Sequence, residues 1–205
     1  MYVVARAAVD QMPPEFRFRP QDSALIHKYC ASILPLEPEF VSGFYETVYA
    51  HPPTAAIFHD GERPDREATL ANWWRRTLEG PLDDDYFAWM AMVGLVHVVR
   101  GVSNPMMLAM TDYFARFVID RLPKIAAEAA AASPDAAATN AEVFELSWAF
   151  SRLRATVGAV IAHGYDEAVV SAMYNVAGMQ KSLLKRLCDQ EAASALREAR
   201  KEMRG

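Results

Sequence analysis

Residues 92–101 read MVGLVHVVRG and place one histidine, His97, in an almost unbroken apolar run. Gly94 and Gly101 stand about one helical turn before and after His97, so all three residues would share a helix face. The missing side chains would let a flat molecule approach that face, although paired glycines also permit close packing of two helices. For this stretch alone, a core histidine is the simplest interpretation and a cofactor ligand is the alternative.

Apolar residues recur at helical spacing along the chain, and no alternating strand pattern occurs. We therefore predict an all-α protein of about eight helices. The histidine helix would begin after the carboxylates of residues 83–85 and end at Gly101. The other predicted elements are helices over about 22–32, 37–49 and 65–79, a helix over 104–132 that Pro123 kinks or splits, a linker within 126–140, a helix over 141–163 ended by Gly164, and a helical stretch over 166–203.

Three segments follow from this pattern. Residues 1–20 contain Pro13, Pro14 and Pro20, and we predict an extended N-terminal arm there. Residues 21–165 would form the main domain. Residues 166–205 carry apolar side chains at roughly heptad spacing, which is typical of a C-terminal helix that acts as a linker or dimerisation segment.

Composition excludes two classes of partner. The net charge of -5 gives no basic surface for nucleic acid. The longest apolar run, residues 86–99, is shorter than the roughly 20 residues that cross a membrane. Two distant cysteines match no metal or redox spacing and favour a reducing compartment. We therefore expect a cytoplasmic protein that binds neither nucleic acid nor membrane.

The residues around His97 favour a haem site over a core position. Haem needs one neutral imidazole nitrogen for its iron and dry, flat surroundings, and Val93 with Met90 continues the histidine face as an apolar wall. Tyr45 could donate a hydrogen bond to a diatomic ligand, and Thr69 could be a second donor. The simpler alternatives are a core tyrosine with its hydroxyl at the rim and a threonine that bonds its own helix.

Three stretches in order resemble one known family. They are FYETVYAHP at 44–52, ATLANWWRRTLEGPLDDDYF at 68–87 and VGLVHVVRGVSNP at 93–105. Together they resemble the globin domain of the globin-coupled sensors and the related protoglobins over about residues 20–165. The separations of Tyr45 and of Thr69 from His97 also match that family.

The resemblance implies a globin-like helical sandwich with an extra N-terminal helix and a C-terminal helical extension. It implies haem b with His97 as the proximal iron ligand, Tyr45 as the distal hydrogen-bond donor and Thr69 as an auxiliary donor. Family members commonly form homodimers through their last two globin helices, here about 105–132 and 141–163. The residues expected to contact haem are Phe44, Leu70, Trp73, Met90, Val93, Gly94, Gly101 and Met107.

The sequence departs from the family after His97. Met106 and Met107 stand where an aromatic residue is expected beside the proximal imidazole, so the hydrogen-bond partner of the histidine is not identified. Arg100 replaces an apolar residue and could reach a haem propionate, another subunit or solvent. No kinase, cyclase or chemotaxis-type output region follows, which fits either a stand-alone sensor globin or the sensory part of a longer protein.

The leading hypothesis is a haem-binding sensor globin that reversibly binds dioxygen, nitric oxide or carbon monoxide and signals through helix shifts at a dimer interface. The first alternative is a protoglobin-like haem enzyme that acts on nitric oxide or peroxide. The second is a haem-free globin-fold module that associates with a partner protein or output domain. A buried histidine argues against the second, because a haem-free pocket gains nothing from a polar ring.

Overall fold

The histidine stretch forms the second half of a seventeen-residue helix in a computed structural model that describes residues 1–178 and 180–203. The all-α prediction is confirmed, since the described residues contain eleven α-helices, two short 3₁₀ turns and no strand. The helices are α1 (Tyr2–Asp10), α2 (Pro20–Lys28), α3 (Cys30–Ile33), α4 (Glu37–Ala50), α5 (Pro52–Ala55), α6 (Arg63–Glu79), α7 (Asp84–Arg100), α8 (Asn104–Ile119), α9 (Leu122–Ala131), α10 (Ala136–Ala177) and α11 (Lys181–Glu202).

The chain divides into two compact units. The first comprises Met1–Tyr165, and the second begins at Asp166. All the residues of the site described below belong to the first unit. The second unit contains the end of α10 and all of α11, whose side chains are mostly exposed.

Both ends of α7 are capped by local sequence. At the start, the Asp83 carboxylate accepts the backbone N–H of Tyr86 at 3.0 Å. At the end, Gly101 adopts φ +72°, a left-handed conformation that favours glycine. The N–H groups of Gly101 and Val102 then bond the carbonyls of Val98 and His97, at 3.2 and 2.9 Å. Gly101 therefore ends the helix at the position expected from the sequence.

Gly94 packs α7 directly on α10. A Cβ at Gly94 would lie 2.4 Å from the Ile161 carbonyl oxygen, and one at Gly164 would lie 2.4 Å from the Ala91 carbonyl oxygen. Only residues without side chains allow two helix backbones to approach so closely. The expectation that Gly164 ends its helix was wrong, because this glycine is a packing residue and α10 continues to Ala177.

The expected extended arm was also wrong for Tyr2–Asp10, which forms α1. All the prolines of the first twenty residues follow this alanine-rich segment, so nothing in it interrupts a helix. Ala5 and Ala8 are buried, and the Tyr2 hydroxyl donates to Asp85 at 2.6 Å. The helix thus packs on the start of α7 and is a structural part of the first unit.

The helices after α7 agree in part with those predicted from the sequence. The predicted helix over 104–132 is split into α8 and α9, and Pro123 occupies the second position of α9, where a missing N–H costs little. The linker predicted within 126–140 is wrong for most of its length. Only residues 132–135 separate α9 from α10, and the Asp135 carboxylate accepts the N–H of Ala138 at 2.9 Å, starting α10 early.

Aromatic side chains hold α4, α6 and α8 together. The Phe40 ring stacks on Trp74 with a centroid separation of 4.5 Å and meets Phe117 edge-on at 5.3 Å. All three side chains are buried, and contacts of this geometry stabilise a core beyond the burial of area alone. These three helices, with α7 and α10, surround the main cavity of the first unit.

A buried ion pair fixes α2 on α10. Asp22 is 2 % exposed and its carboxylate accepts hydrogen bonds from Arg152 at 2.6 and 2.8 Å and from Arg19 at 3.0 Å. Burial alone would raise the pKa of Asp22, but the hydrogen bonds from the two arginines outweigh it and hold that pKa below its usual value. The carboxylate therefore stays charged and paired.

The α7–α10 contact predicts different effects for two glycine substitutions. Gly94→Ala should lower the free energy of unfolding by about 2 kcal/mol or more, because the new methyl group meets rigid backbone. Gly158→Ala is the matched control on α10, where a Cβ would lie 3.3 Å from the flexible Leu108 side chain. It should change stability by less than about 1 kcal/mol. Urea unfolding followed by circular dichroism measures both, and equal effects would contradict the assigned role of Gly94.

Candidate functional site

One cavity of about 470 Å³ brings the sequence-predicted residues together. His97 from α7, Tyr45 from α4 and Thr69 from α6 all line it. Cavities of a few hundred Å³ with mostly apolar walls and a few polar groups are typical of cofactor sites. Six of the residues expected to contact a cofactor also line this cavity: Phe44, Leu70, Trp73, Met90, Val93 and Met107.

Gly94 and Gly101 do not line this cavity, and the expectation that they clear space for a flat molecule was wrong. Gly94 faces the backbone of α10, and Gly101 is the left-handed residue that ends α7. Close packing of two helices, the alternative for paired glycines, holds for Gly94.

His97 presents an imidazole with an unused nitrogen. Its Nδ1 atom is buried and has no hydrogen-bond partner among the described residues. Burial lowers the pKa of His97 to about 4, so the ring is neutral near pH 7 and keeps a lone pair. Met106 and Met107, which replace the expected aromatic residue, also line the cavity. Within the described residues, no hydrogen bond at Nδ1 therefore orients the ring.

Tyr45 supplies a buried hydroxyl. The side chain is 6 % exposed, and its ring meets Phe44 edge-on at 5.3 Å and Phe58 at 6.0 Å. Burial raises the pKa of Tyr45, with a smaller opposing effect from the charge of Arg66. The phenol stays protonated at any physiological pH and remains a hydrogen-bond donor.

Thr69 uses its hydroxyl within its own helix. Its Oγ1 atom donates to the carbonyl of Asp65 at 2.8 Å, which is the simpler of the two alternatives drawn from the sequence. Thr69 is an exposed residue that still lines the cavity. A donor role toward a ligand would require the hydroxyl to leave this bond.

Arg100 lines the cavity at the end of α7 and is already paired. Its Nη1 atom donates to Glu62 at 2.7 Å, and this guanidinium holds the pKa of Glu62 at about 2. Neither a second subunit nor solvent is needed to account for this arginine. The charge is neutralised within the first unit, next to the cavity.

Sequence reasoning missed several lining residues, of which Arg66 is the one with a charge. Arg66, Thr69, Leu70 and Trp73 follow the i, i+3, i+4, i+7 pattern of one helix face, which could have identified the arginine. Sequence reasoning also missed part of the aromatic wall of the cavity. Phe58, Trp89 and Phe114 line the cavity from the segment before α6, from α7 and from α8.

The residues present fit a haem. A neutral imidazole with an unpartnered buried nitrogen, a buried phenol and mostly apolar and aromatic walls share one cavity. These are the groups that a ferrous or ferric porphyrin needs from a protein: one nitrogen ligand, a dry surrounding and a donor for the bound gas.

The family comparison agrees with this geometry. The family model described as Protoglobin matches residues 7–169. This chain belongs to the protoglobin family. Membership supports a globin-type protein that binds haem and gaseous ligands. A comparison with curated proteins finds no match. Within the described part of the chain, no helix is both long enough and apolar enough to cross a membrane.

The lowered pKa of His97 predicts a pH-dependent stability of the haem-free protein. The unfolded chain takes up a proton on this imidazole near pH 6.5, whereas the folded chain does so only near pH 4. Stability is therefore lost as the pH falls from 6.5 towards 4. His97→Leu has no imidazole to protonate, so this contribution to the loss of stability should be absent in the variant.

Urea unfolding between pH 7.5 and 4.5 tests this pH dependence of stability. The stability difference between His97→Leu and the unchanged protein should shift by up to about 2–3 kcal/mol in favour of the variant. The loss of other charges, such as the Asp22 carboxylate, cancels in this comparison. A difference that stays constant with pH would contradict the burial of a neutral imidazole.

Proposed function

We propose that this protein is a sensor globin that holds haem b in the cavity through His97 and reversibly binds dioxygen. The supporting observation is that a neutral, unpaired imidazole and a buried phenol line the same apolar cavity. When bound, haem supplies an iron centre that takes a diatomic gas as a ligand.

Each of the residues has a defined task in this proposal. His97 provides the iron ligand, and its low pKa keeps the coordinating nitrogen free of a proton. Tyr45 donates a hydrogen bond to the gas. Dioxygen gains more from that bond than carbon monoxide does, because dioxygen carries partial negative charge when bound. Trp73, Met90 and Met107 exclude water from the ligand.

Sensing requires a path from His97 to a surface, and the proposal uses the contact between α7 and α10. Gly94 lies one turn before His97 and touches the backbone of α10 at Ile161 and Gly164. A shift of α7 cannot be absorbed by side chains at this contact, so α10 would move with it.

We place the dimer interface on α8 and α10, as the family resemblance implies. Phe144 and Trp148 stand one turn apart on α10 and are 61 % and 49 % exposed, and Leu108 on α8 is 47 % exposed. Large apolar side chains with this exposure mark interaction surfaces when they lie together. The rings of Phe144 and Trp148 do so, with a centroid separation of 6.4 Å. A homodimer would bury them.

Substitutions at His97 and Tyr45 test haem and gas binding. His97→Ala should abolish the Soret band of the haem-reconstituted protein or shift it to that of unligated haem. Tyr45→Phe should raise the dioxygen dissociation rate by about 10- to 100-fold, the effect of one hydrogen bond to a charged group. Its carbon monoxide dissociation rate should change by less than about threefold. Stopped-flow absorbance measures both rates.

Two control variants separate site effects from general damage. His163→Ala removes a histidine that does not line the cavity, and Tyr49→Phe removes a hydroxyl one turn further along α4. Both should retain normal spectra and rates. A normal Soret band in His97→Ala, or equal rate changes in Tyr45→Phe and Tyr49→Phe, would overturn the assignment.

The dimer proposal has its own test. Sedimentation of the purified protein should give about twice the chain mass of 22.8 kDa. Trp148→Glu should shift the protein to monomer, because a carboxylate cannot be buried unpaired at an interface. Phe16→Glu is the control, since Phe16 is an aromatic residue that is 61 % exposed, against 49 % for Trp148, and lies outside α8 and α10. A monomeric unchanged protein would contradict the proposal.

A further inference from the structure

The segment between α4 and α6, residues 51–62, forms part of the cavity wall. Its residues Thr54, Ile57 and Phe58 line the same space as His97. After the short α5, the segment continues as turns and loop rather than as a helix. Its position relative to the cavity therefore depends on side-chain contacts with neighbouring elements.

Arg100 holds this segment at three points. Its Nη1 atom donates to the Glu62 carboxylate at 2.7 Å, and its Nη2 atom donates to the Ile57 carbonyl at 3.4 Å. The guanidinium also lies 6.0 Å from the centre of the Phe58 ring, a distance at which a cation is attracted to an aromatic face. Because Arg100 is the last residue of α7, these contacts tie the end of the histidine helix to the segment.

The ion pair of Arg100 and Glu62 is partly shielded from water. The two side chains are 23 % and 22 % exposed, and two nitrogens of the guanidinium bond the carboxylate. A two-point contact between arginine and carboxylate fixes orientation as well as distance, and salt screens a partly buried pair less than an exposed one. The hydrogen bonds from Arg100 lower the pKa of Glu62 to about 2, so the pair stays charged at physiological pH.

Phe58 connects this ion pair to Tyr45. The Phe58 ring meets the Tyr45 ring edge-on at 6.0 Å and lies 5.4 Å from the Tyr49 ring. Phe58 therefore contacts Arg100 from α7 as well as two tyrosines from α4. The orientation of a tyrosine ring determines where its hydroxyl lies, so a neighbour that packs on the ring also helps to place the hydroxyl.

We propose that Arg100 and Glu62 are positioning residues, whose ion pair holds residues 51–62 against the cavity and thereby keeps the hydroxyl of Tyr45 in place for the bound gas. The proposal rests on the haem-binding function proposed above, because Tyr45 acts on the gas there. It adds a determinant of gas retention that acts through Phe58 and contacts neither the gas nor the iron.

Hydrogen exchange in the haem-free protein tests whether the ion pair holds the segment. The amides of Ile57, Phe58 and Glu62 bond carbonyls within the segment, so their exchange reports its opening. Arg100→Met keeps much of the side-chain length without the charge and should raise exchange in residues 56–62 by about tenfold. Glu62→Gln should raise it as well. The double variant should exchange no faster than the faster single variant, because either change already breaks the pair. Additive effects would overturn the proposal.

Arg75→Met is the matched control. Arg75 on α6 pairs with Glu37 at the start of α4, and neither side chain lines the cavity. This variant should leave the exchange of residues 56–62 within about twofold of the unchanged protein. An equal rise in Arg75→Met and Arg100→Met would show that the loss of any ion pair between helices loosens the protein, and the proposal would fail.

Dioxygen dissociation from the ferrous, haem-reconstituted protein tests whether the ion pair acts through Tyr45. Arg100→Met should raise the rate by about three- to tenfold, less than Tyr45→Phe does, because the hydroxyl is displaced rather than removed. In a Tyr45→Phe background, the same change should alter the rate by less than about twofold. An equal increase in both backgrounds would show that Arg100 does not act through Tyr45, which overturns the proposal.

Two further outcomes separate this proposal from its alternatives. Faster loss of haem b from Arg100→Met, with normal retention of the dimethyl ester of haem b, would show that the arginine pairs with a haem propionate, and the proposal would fail. Failure of the unchanged protein to bind any haem would reject the proposed function itself. Hydrogen exchange in the haem-free protein would still decide separately whether the ion pair holds residues 51–62.

Discussion

The backbone contact between α7 and α10 is the constraint on which the site depends. Gly94 and Gly164 allow the two helices to touch through main-chain atoms, and a single methyl group at either position would meet carbonyl oxygen or main-chain nitrogen. This contact sets the position of α7 and therefore the position of His97 one turn later. The capped ends of α7 fix the length of the helix, so that His97 occupies a fixed position along the cavity wall.

Much of the fold followed from sequence, because its signals are local. Pro123 and Gly101 mark helix boundaries through their own backbone chemistry, and the carboxylate of Asp83 caps α7 as its position predicted. One error concerns a tertiary contact. A glycine inside a helix can end it or pack against a neighbour, and only the position of α10 decides this for Gly164. The error at the N-terminus is local, because prolines that lie beyond Tyr2–Asp10 do not interrupt a helix in this alanine-rich segment.

In the candidate site, too, local features were predictable from the sequence and contacts between helices were not. Residue type and spacing brought His97, Tyr45 and Thr69 into one predicted site, and the structure places all three around one cavity. The pairing state of a side chain cannot be derived from sequence, because its partner lies on another helix. Arg100 is neutralised by Glu62, whereas the Nε atom of Arg66 is left unpaired, although both are arginines close to the cavity. The steric role assigned to Gly94 failed because helix periodicity gives a shared face but not the neighbour that occupies it, which here is α10. Gly101 has no such neighbour and ends the helix instead.

The cap at Gly101 has a mechanical consequence for the histidine. The carbonyl of His97 accepts the N–H of Val102, and Val102 lies in the short connection to α8 and also lines the cavity. The main chain of His97 is thus hydrogen-bonded to the connection between α7 and α8. A displacement of the His97 backbone would therefore also displace Val102, and with it the connection that leads into α8.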